Sequence, residues 1–397
     1  MDKNPLEEWI YKKTSGMGIK AYQLEKIRET LRLVNGSSAF YKRLYEGFDI
    51  EAVASFENFA DLPFVTAEDL AENGRQMLCV PQHEIERIVT LETSGTDGKP
   101  KRVYFTAEDM ELTVDFFDVG MRCLISVRDR FMIILPCKTP GSVGDLLQQG
   151  TKRIGCEVFP YGLIEDYSKA TRFIFDNQVT SLVGSPVQIL KLAETIKTSG
   201  LDIKLNSVLL STDFVPDAIV KRLERLLRCK VFEHYGMTEM CFGGGVFCGN
   251  LSGYHMREAD LYFEIISKDG DALPDGEYGE VVFTTLTRKG MPLVRYRTGD
   301  CGMIKKERCK CSAELILMDK IRRRADDGII IGGKEFYISD FDEMLFSNEK
   351  VVDYSIEFRD GKLSIGIETV NDTVNAGEGQ ERLHKRKIIR PIKENKK

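Results

Sequence analysis

The sequence lacks an excess of positive charge. Its 397 residues include 56 lysines and arginines against 62 aspartates and glutamates, which gives a formal net charge of −6 at pH 7. Proteins that bind nucleic acids or anionic membranes need a basic surface, so this balance argues against both kinds of partner. A local basic groove for a small phosphorylated ligand stays open.

Long apolar runs are also missing. No run approaches the length of a membrane span. The first residues, MDKNPLEEWIYKKT, are polar and charged and lack the apolar core of a signal peptide. Most of the ten cysteines stand singly, which is typical of a reducing compartment. We therefore expect a cytoplasmic protein without a membrane partner.

The sequence does contain a repeated alternation of strands and helices. Strand-like runs end in small or turn residues, as in FMIILP (131–136), TSLVGSP (180–186) and KVFEHYG (230–236), and helical patterns such as AIVKRLERLLR lie between such runs. This order predicts βαβ units and a mostly parallel sheet. Ligand sites in such folds lie beyond the carboxyl ends of the strands.

From about residue 253 the pattern changes. GEYGEVVFTTL and neighbouring runs alternate more regularly and are separated by hairpin-like turns, which predicts an antiparallel β subdomain. The charged segment 320–333 carries Gly332-Gly333 and is interpreted as a linker; one helix and a hairpin, YSIEFRDGKLSIGIE (354–368), follow it. We predict an α/β protein with a large N-terminal domain over residues 1–320 and a small α+β domain over residues 321–397.

The stretch TSGTDGKPK (93–101) has the composition of a loop that holds phosphate. Its glycines permit close backbone approach, its hydroxyls and backbone N–H groups can donate to oxygen, and its lysines add positive charge. The GxxxxGK[ST] spacing of a Walker loop is absent. The candidate phosphate contacts are Thr93, Ser94, Gly95, Thr96, Gly98, Lys99 and Lys101.

Three further stretches follow in order: HYGMTE (234–239), YRTGD (296–300) and RADDG (324–328). Together with TSGTDGKPK they resemble the signatures of the adenylate-forming superfamily of acyl- and aryl-CoA ligases. The segment GEYGEVVFTTLTRKGMPLVRYRTGD (276–300) and the short N-terminal part resemble the phenylacetate–CoA ligase branch.

The resemblance implies a two-step activity. A small carboxylic acid, with an aromatic acid as one candidate, reacts with ATP to give an acyl-adenylate, and coenzyme A then displaces AMP. Two alternatives stay open. One is an adenylate-forming enzyme with another acceptor, either a protein thiol or a cofactor. The other is a nucleotide-binding descendant without catalysis.

The resemblance also assigns roles to residues. Glu239 is expected to place Mg²⁺, because a hard cation prefers carboxylate oxygen. Thr238 is expected to contact the α-phosphate, and Asp300 the ribose hydroxyls. The remaining nucleotide contacts are Tyr235 beside the adenine, Gly236, and Ser211 and Asp213, which stand where the family usually has a Gly-Ala-Glu-like run.

The C-terminal domain resembles the mobile lid of the family, although it is shorter than usual. Arg324, with a nucleotide contact, and Asp326 match the hinge signature, which places the hinge near 324–327. The family's lid lysine stands in a G-K-x-x-R setting. Lys387 has the K-to-R spacing here, although Arg386 replaces the glycine, and is predicted to be catalytic, with Lys385 as its rival. A basic tail without a catalytic role is the other interpretation.

A separate set of residues has the composition of a structural zinc site. Cys248, His255, Cys309 and Cys311 supply three thiols and an imidazole, a standard tetrahedral set. Some relatives in the phenylacetate–CoA ligase branch have a similar pattern. Cys241 is an alternative ligand, and unligated thiols are the other interpretation. The oligomeric state is left open, with a homodimer as one option.

Overall fold

A computed structural model of the chain describes residues 4–91, 100–325, 328–359 and 361–370, together with the backbone of 388–389. Among the helices of these ranges, none has the length and apolar content that crossing a membrane requires.

The helices and strands alternate along most of the chain. The α-helices are α1 Pro5–Lys13, α2 Ile19–Ser37, α3 Ala39–Leu44, α4 Phe56–Ala60, α5 Ala67–Asn73, α6 Ala107–Met121, α7 Val143–Ile154, α8 Tyr167–Asp176, α9 Pro186–Ser199, α10 Asp217–Leu227 and α11 Ile338–Phe346. The strands are β1 Ile85–Leu91, β2 Lys101–Thr106, β3 Arg130–Ile134, β4 Glu157–Pro160, β5 Ser181–Gly184, β6 Ser207–Leu210, β7 Lys230–Tyr235, β8 Gly245–Phe247, β9 Tyr254–Met256, β10 Leu261–Ile266, β11 Gly279–Thr285, β12 Tyr296–Gly302, β13 Leu317–Met318, β14 Arg323–Arg324, β15 Ile329–Ile331, β16 Lys334–Phe336, β17 Val351–Arg359, β18 Lys362–Thr369 and β19 Ile388–Ile389.

The chain forms two compact units, each built from two stretches. Unit 1 comprises Met1–Cys123 and Gly236–Ile321, and unit 2 comprises Leu124–Tyr235 and Arg322–Lys397. The chain leaves unit 1 at the predicted domain border near residue 320. Residues 124–235, which the sequence interpretation placed with the N-terminal domain, cluster with the C-terminal stretch instead. The functional division into a large domain and a lid stays a prediction.

Unit 1 contains antiparallel β-structure. Strands β10, β11 and β12 form an antiparallel array, in which Leu261 pairs with Thr285 and Phe283 with Tyr296. Strands β1 and β2 pair antiparallel, as do β8 with β9 and β9 with β13. This confirms the antiparallel subdomain predicted after residue 253. Strand β2 runs directly into α6, which begins with a capping box formed by Thr106 and Asp109.

Unit 2 contains five parallel strands in the order β7-β6-β5-β3-β4. Every residue of β5 and β6 is buried, as expected for central strands covered on both faces. The predicted parallel sheet is therefore confirmed, with the helices α7 to α10 between its strands.

The C-terminal stretch of unit 2 has more regular structure than the sequence suggested. Strands β15 and β16 pair within and beyond the segment interpreted as a linker. Gly332 and Gly333 turn this hairpin with φ of 58° and 79°, the conformation that favours glycine in two-residue turns. The predicted hairpin after α11 is present as β17 and β18.

The same C-terminal stretch packs into the main apolar core of unit 2. Its buried side chains Phe341, Phe346, Val351 and Ile356 share one cluster with residues of α9 and α10, such as Leu190. Burial of apolar surface on this scale is the dominant stabilising contribution in a folded protein. The stretch is thus anchored by packing as well as by the chain connection.

Candidate active site

The most informative contact joins Lys101 and Glu239. Lys101 is the first residue of β2, and Glu239 lies in the short helical turn Thr238–Met240. The Lys101 Nζ and Glu239 Oε1 atoms are 2.7 Å apart, and the Glu239 side chain is 2% exposed. The Tyr296 hydroxyl donates to the same oxygen at 3.3 Å. The structure therefore brings together a predicted phosphate ligand and the predicted magnesium ligand.

The backbone that follows Glu239 adopts an uncommon conformation. Cys241 and Phe242 have φ of 54° and 64°, in the left-handed region that non-glycine residues rarely occupy. Two contacts support this turn. The Thr113 hydroxyl donates to the Cys241 carbonyl at 3.0 Å, and the ring of Phe242 stacks on that of Phe105 with centroids 5.6 Å apart. Such backbone strain persists where neighbours fix it, and it is concentrated at functional sites.

Arg288 is a residue of this region that sequence reasoning missed. Its side chain is buried, and its Nη1 atom donates to the Glu239 carbonyl at 3.0 Å. Its Nη2 atom donates to the Tyr104 carbonyl in β2 at 2.7 Å. The sequence carries no local signal for this contact, since 49 positions separate Arg288 from Glu239. The YRTGD motif includes Tyr296, but the motif did not predict that the Tyr296 hydroxyl contacts Glu239.

In unit 2, the predicted nucleotide contacts lie at the carboxyl ends of β6 and β7, where ligand sites of parallel sheets are expected. The Ser211 Oγ and His234 Nδ1 atoms are 2.9 Å apart. Burial lowers the pKa of His234 to about 4, so its imidazole is neutral near pH 7. The Asp213 carboxylate accepts from the backbone N–H of Phe214 at 2.9 Å, and Tyr235 is buried at the end of β7.

The remaining predicted nucleotide contacts have simpler surroundings. Gly236 lies two residues before the Glu239 turn, and Thr238 is the first residue of this turn. Asp300 lies partly buried in β12, and its backbone N–H donates to Thr298 Oγ1 at 3.0 Å. Arg324 is exposed in β14. Several predictions fall outside the described residues: Thr93, Ser94, Gly95, Thr96, Gly98 and Lys99 of the phosphate loop, the hinge residue Asp326, and both lid lysines, Lys385 and Lys387.

The four predicted zinc ligands are brought together in unit 1. One ligand atom from each of Cys248, His255, Cys309 and Cys311 lies within 4.8 Å of all the others. The Cys248 and Cys309 sulfurs are 3.5 Å apart, and the Cys311 sulfur is 3.4 Å from His255 Nε2. Zn–S bonds of about 2.3 Å and a Zn–N bond of about 2.0–2.1 Å give tetrahedral edges of about 3.5–3.8 Å, and the two distances above are close to such edges.

Neighbouring donors point at the same sulfurs. The Asn250 backbone N–H donates to Cys248 Sγ at 3.5 Å, and the Ser252 hydroxyl lies 3.2 Å from Cys309 Sγ. Hydrogen bonds of this kind orient metal ligands. Cys241, the alternative ligand, does not belong to the cluster and instead occupies the left-handed turn after Glu239.

Comparison with known proteins gives consistent matches. The profile of the AMP-binding enzyme family matches residues 52–286, more than half of the chain. The chain is 29% identical to phenylacetate-coenzyme A ligase of Thermus thermophilus, over 95% of this chain and 90% of that protein. It is 27% identical to phenylacetate-coenzyme A ligase of Pseudomonas putida, over 94% and 87% respectively.

A solved structure with a similar fold is 2-hydroxyisobutyryl-CoA ligase in the postadenylation state with 2-HIB-AMP. The TM-score is 0.78 at 20% identity, covering 94% of this chain and 86% of that chain. The likeness concerns the fold and agrees with the predicted α/β class.

Proposed function

Because the chain belongs to the AMP-binding enzyme family, we propose that it activates a small carboxylic acid with ATP and transfers the acyl group to coenzyme A. The matches to two phenylacetate-coenzyme A ligases over most of the chain support this reaction and make phenylacetate the first acid to test. The observation that carries the proposal is the buried Glu239 carboxylate in contact with Lys101 at 2.7 Å.

The first step needs a positive environment. A carboxylate oxygen of the acid attacks the α-phosphorus of ATP, and the bond from that phosphorus to the pyrophosphate oxygen breaks. Two anions must approach each other, so positive charge around the phosphates lowers the barrier. Lys101 supplies such a charge, and Glu239 offers a hard oxygen ligand for Mg²⁺, which would neutralise phosphate charge when bound.

The second step transfers the acyl group. The thiol sulfur of coenzyme A forms a bond to the acyl carbon, AMP leaves with the electron pair of the C–O bond, and the thiol proton is released. We extend the proposal to the roles assigned by resemblance: Thr238 at the α-phosphate, Asp300 at the ribose, and Ser211, Asp213 and Tyr235 near the adenine. Each of these roles is testable by substitution.

The lid motion also belongs to the proposal. A rotation about residues 324–327 that carries Lys387 or Lys385 must break contacts of the C-terminal stretch with α9 and α10. One is the hydrogen bond from Arg222 Nη1 to the Val351 carbonyl at 2.7 Å, and another is the ion pair of Lys191 with Asp353 at 3.0 Å.

We further propose that the enzyme is cytoplasmic and that it forms a homodimer. Sedimentation measurements would detect the dimer.

We propose a structural zinc ion held by Cys248, His255, Cys309 and Cys311. Four protein ligands leave no open coordination position, so the ion would contribute to folding. Protein purified under reducing conditions is expected to contain one zinc per chain by elemental analysis, and the Cys309→Ser variant is expected to lose it and to unfold at a lower temperature. Cys156→Ser, at a buried cysteine outside the cluster, is the control. Wild-type protein without zinc would contradict the proposal.

A panel of carboxylic acids tests the proposed reaction. Purified protein is assayed with each acid for exchange of labelled pyrophosphate into ATP, and separately for the CoA thioester and AMP. We expect at least one acid, phenylacetate first, to support both readouts. Exchange without thioester would mean another acceptor. No acid-dependent exchange across the panel would contradict the proposed activity.

A further inference from the structure

We infer that Arg288 is a positioning residue for the first step of the reaction, an inference that rests on the proposed function. Arg288 lies in the loop between β11 and β12, and its side chain is buried. Its two terminal nitrogens donate to the carbonyls of Glu239 and Tyr104, at 3.0 and 2.7 Å. One side chain therefore joins the backbone of the Glu239 turn to β2, the strand that begins at Lys101.

An aromatic contact joins the same two segments. The Arg288 guanidinium lies 4.6 Å from the ring centroid of Phe105 in β2, a cation–π distance. Phe105 in turn stacks on Phe242, three residues after Glu239, with an interplanar angle of 18°. Arg288 thus supports both ends of the left-handed turn at Cys241 and Phe242.

The loop that carries Arg288 is itself fixed by buried hydrogen bonds. The Asp109 carboxylate accepts from the backbone N–H groups of Lys289 and Gly290, at 2.9 and 3.0 Å. Asp109 also belongs to the capping box with Thr106, which ends β2. The contacts therefore form a closed ring from β2 through α6 and the Arg288 loop to Glu239 and back to β2.

This ring explains why an arginine is needed. The planar guanidinium presents several donors in a fixed fork, whereas a lysine ammonium is a point charge on a flexible stem. Arg288→Lys keeps the charge and is expected to lose one of the two carbonyl bonds. The Glu239 turn then shifts relative to Lys101, and a displacement of about 1 Å at a reacting centre can cost about 100-fold in rate.

The test compares Arg288→Lys with Arg257→Lys. Arg257 is also buried, and its guanidinium contacts the Asp260 carboxylate, the Leu112 carbonyl and the Phe116 ring, so its contacts reach α6 but neither Glu239 nor β2. We expect Arg288→Lys to lower kcat for acid-dependent pyrophosphate exchange by about 10- to 100-fold with KM for the acid little changed, because positioning acts on the transition state. Arg257→Lys is expected to lower kcat less than Arg288→Lys, because Arg257 contacts only the α6 part of these connections.

A second measurement does not depend on turnover. Amide hydrogen exchange of the peptide covering residues 238–242 is expected to accelerate in Arg288→Lys and to accelerate less in Arg257→Lys. If Arg288→Lys does not accumulate as folded protein, Phe105→Leu replaces it. Phe105→Leu removes the aromatic ring of Phe105 and leaves both hydrogen bonds from Arg288 to the carbonyls available. We expect a smaller loss of kcat and the same acceleration of amide exchange over residues 238–242.

The outcomes are distinguishable. Wild-type protein that supports no acid-dependent exchange overturns the proposed function, and the inference with it. Active wild-type protein together with an Arg288→Lys variant of unchanged kcat overturns the inference alone. An equal loss of kcat in both arginine variants also overturns it, since a general effect of a buried arginine would then account for the result.

Discussion

Two buried arginines, one in each unit, make similar contacts in different surroundings. In unit 1, Arg288 donates to the carbonyl of Glu239, in an irregular turn that contains two left-handed residues. In unit 2, Arg222 in α10 donates to the carbonyl of Val351 and pairs through Nε with Glu194 of α9 at 2.8 Å. Arg222 therefore connects regular elements whose side chains share an apolar core.

The surroundings of a buried arginine indicate whether its substitution changes mainly the stability or mainly the reaction rate. Between packed helices and strands, a paired charge fixes the arrangement of these elements, and removal of the charge lowers the free energy of unfolding. At a strained turn beside a buried carboxylate and a lysine, the same kind of contact fixes the positions of these reacting groups, and its removal lowers the reaction rate. The predicted consequences of substitution separate the two cases.

The largest expected stability effect follows Arg222→Met. The substitution removes the buried partner of the Glu194 carboxylate, whose side chain is 6% exposed, and leaves only the more exposed Lys197, 3.7 Å away, as a cation. Removing one partner of a buried pair costs about 3–5 kcal/mol, and Lys197 still offsets part of the Glu194 charge, so the free energy of unfolding measured with urea is expected to fall by up to that amount. Acid-dependent pyrophosphate exchange by the remaining folded protein is expected to fall less than that of Arg288→Lys, because Arg222 contacts neither Glu239 nor Lys101; the proposed lid rotation, which breaks the Arg222–Val351 bond, concerns the later thioester step.

Arg225→Met is the matched control on the same helix. Arg225 pairs with Glu349 at 2.7 Å, but both side chains are more than half exposed. Exposed pairs contribute about 0–1 kcal/mol, so little change is expected. Equal losses for the two variants would show that burial is not what distinguishes Arg222.

A smaller effect is expected from Glu258, a buried glutamate of unit 1 that forms no ion pair among the residues the structure describes. Glu258 accepts from the backbone N–H of Ile316 at 2.7 Å, and burial raises its pKa from 4.5 to about 7, while Lys20 opposes the shift. A raised pKa means that the unfolded chain ionises first, so stability is full below about pH 4.5 and is lost as pH rises to about 7.

The Glu258→Gln variant removes this ionisation and keeps an acceptor oxygen. Relative to wild type, its unfolding free energy is expected to gain up to about 3 kcal/mol between pH 4.5 and pH 8, at about 1.4 kcal/mol per unit of pKa shift. Urea unfolding at several pH values measures the difference. Parallel pH profiles for the two proteins would contradict the assignment.

The sequence was sufficient for the regular parts of the fold, whereas the roles of the site residues stay predictions. Strand runs such as TSLVGSP predicted the parallel strands, because these depend on local pattern. Residue chemistry selected Cys248, His255, Cys309 and Cys311, which lie together in unit 1, and their role as metal ligands stays a prediction. The contact of Lys101 with Glu239 follows from the family signature only indirectly, since 138 positions separate the two residues.

Other features depend on tertiary packing that no local pattern records. Arg288 has the same appearance as any charged loop residue in the printed sequence. The left-handed conformation at Cys241 and Phe242 opposes the intrinsic preference of both residues and exists because neighbours hold it. The interpretation of residues 320–333 as a linker was wrong for residues 329–333, because Gly332 and Gly333 serve a hairpin turn there rather than a flexible connection.

The central claim is that the Glu239 turn with Lys101 is where the acid is activated. The most direct measurement is acid-dependent pyrophosphate exchange by the Glu239→Gln variant. Its control is Glu264→Gln, which removes the charge of a second buried glutamate, one that pairs with Arg295. We predict a loss of about 100-fold or more for Glu239→Gln, the scale seen when a group that stabilises transition-state charge is removed, and near wild-type exchange by folded Glu264→Gln. Wild-type exchange by Glu239→Gln, with the acid and ATP at saturation, would contradict the account.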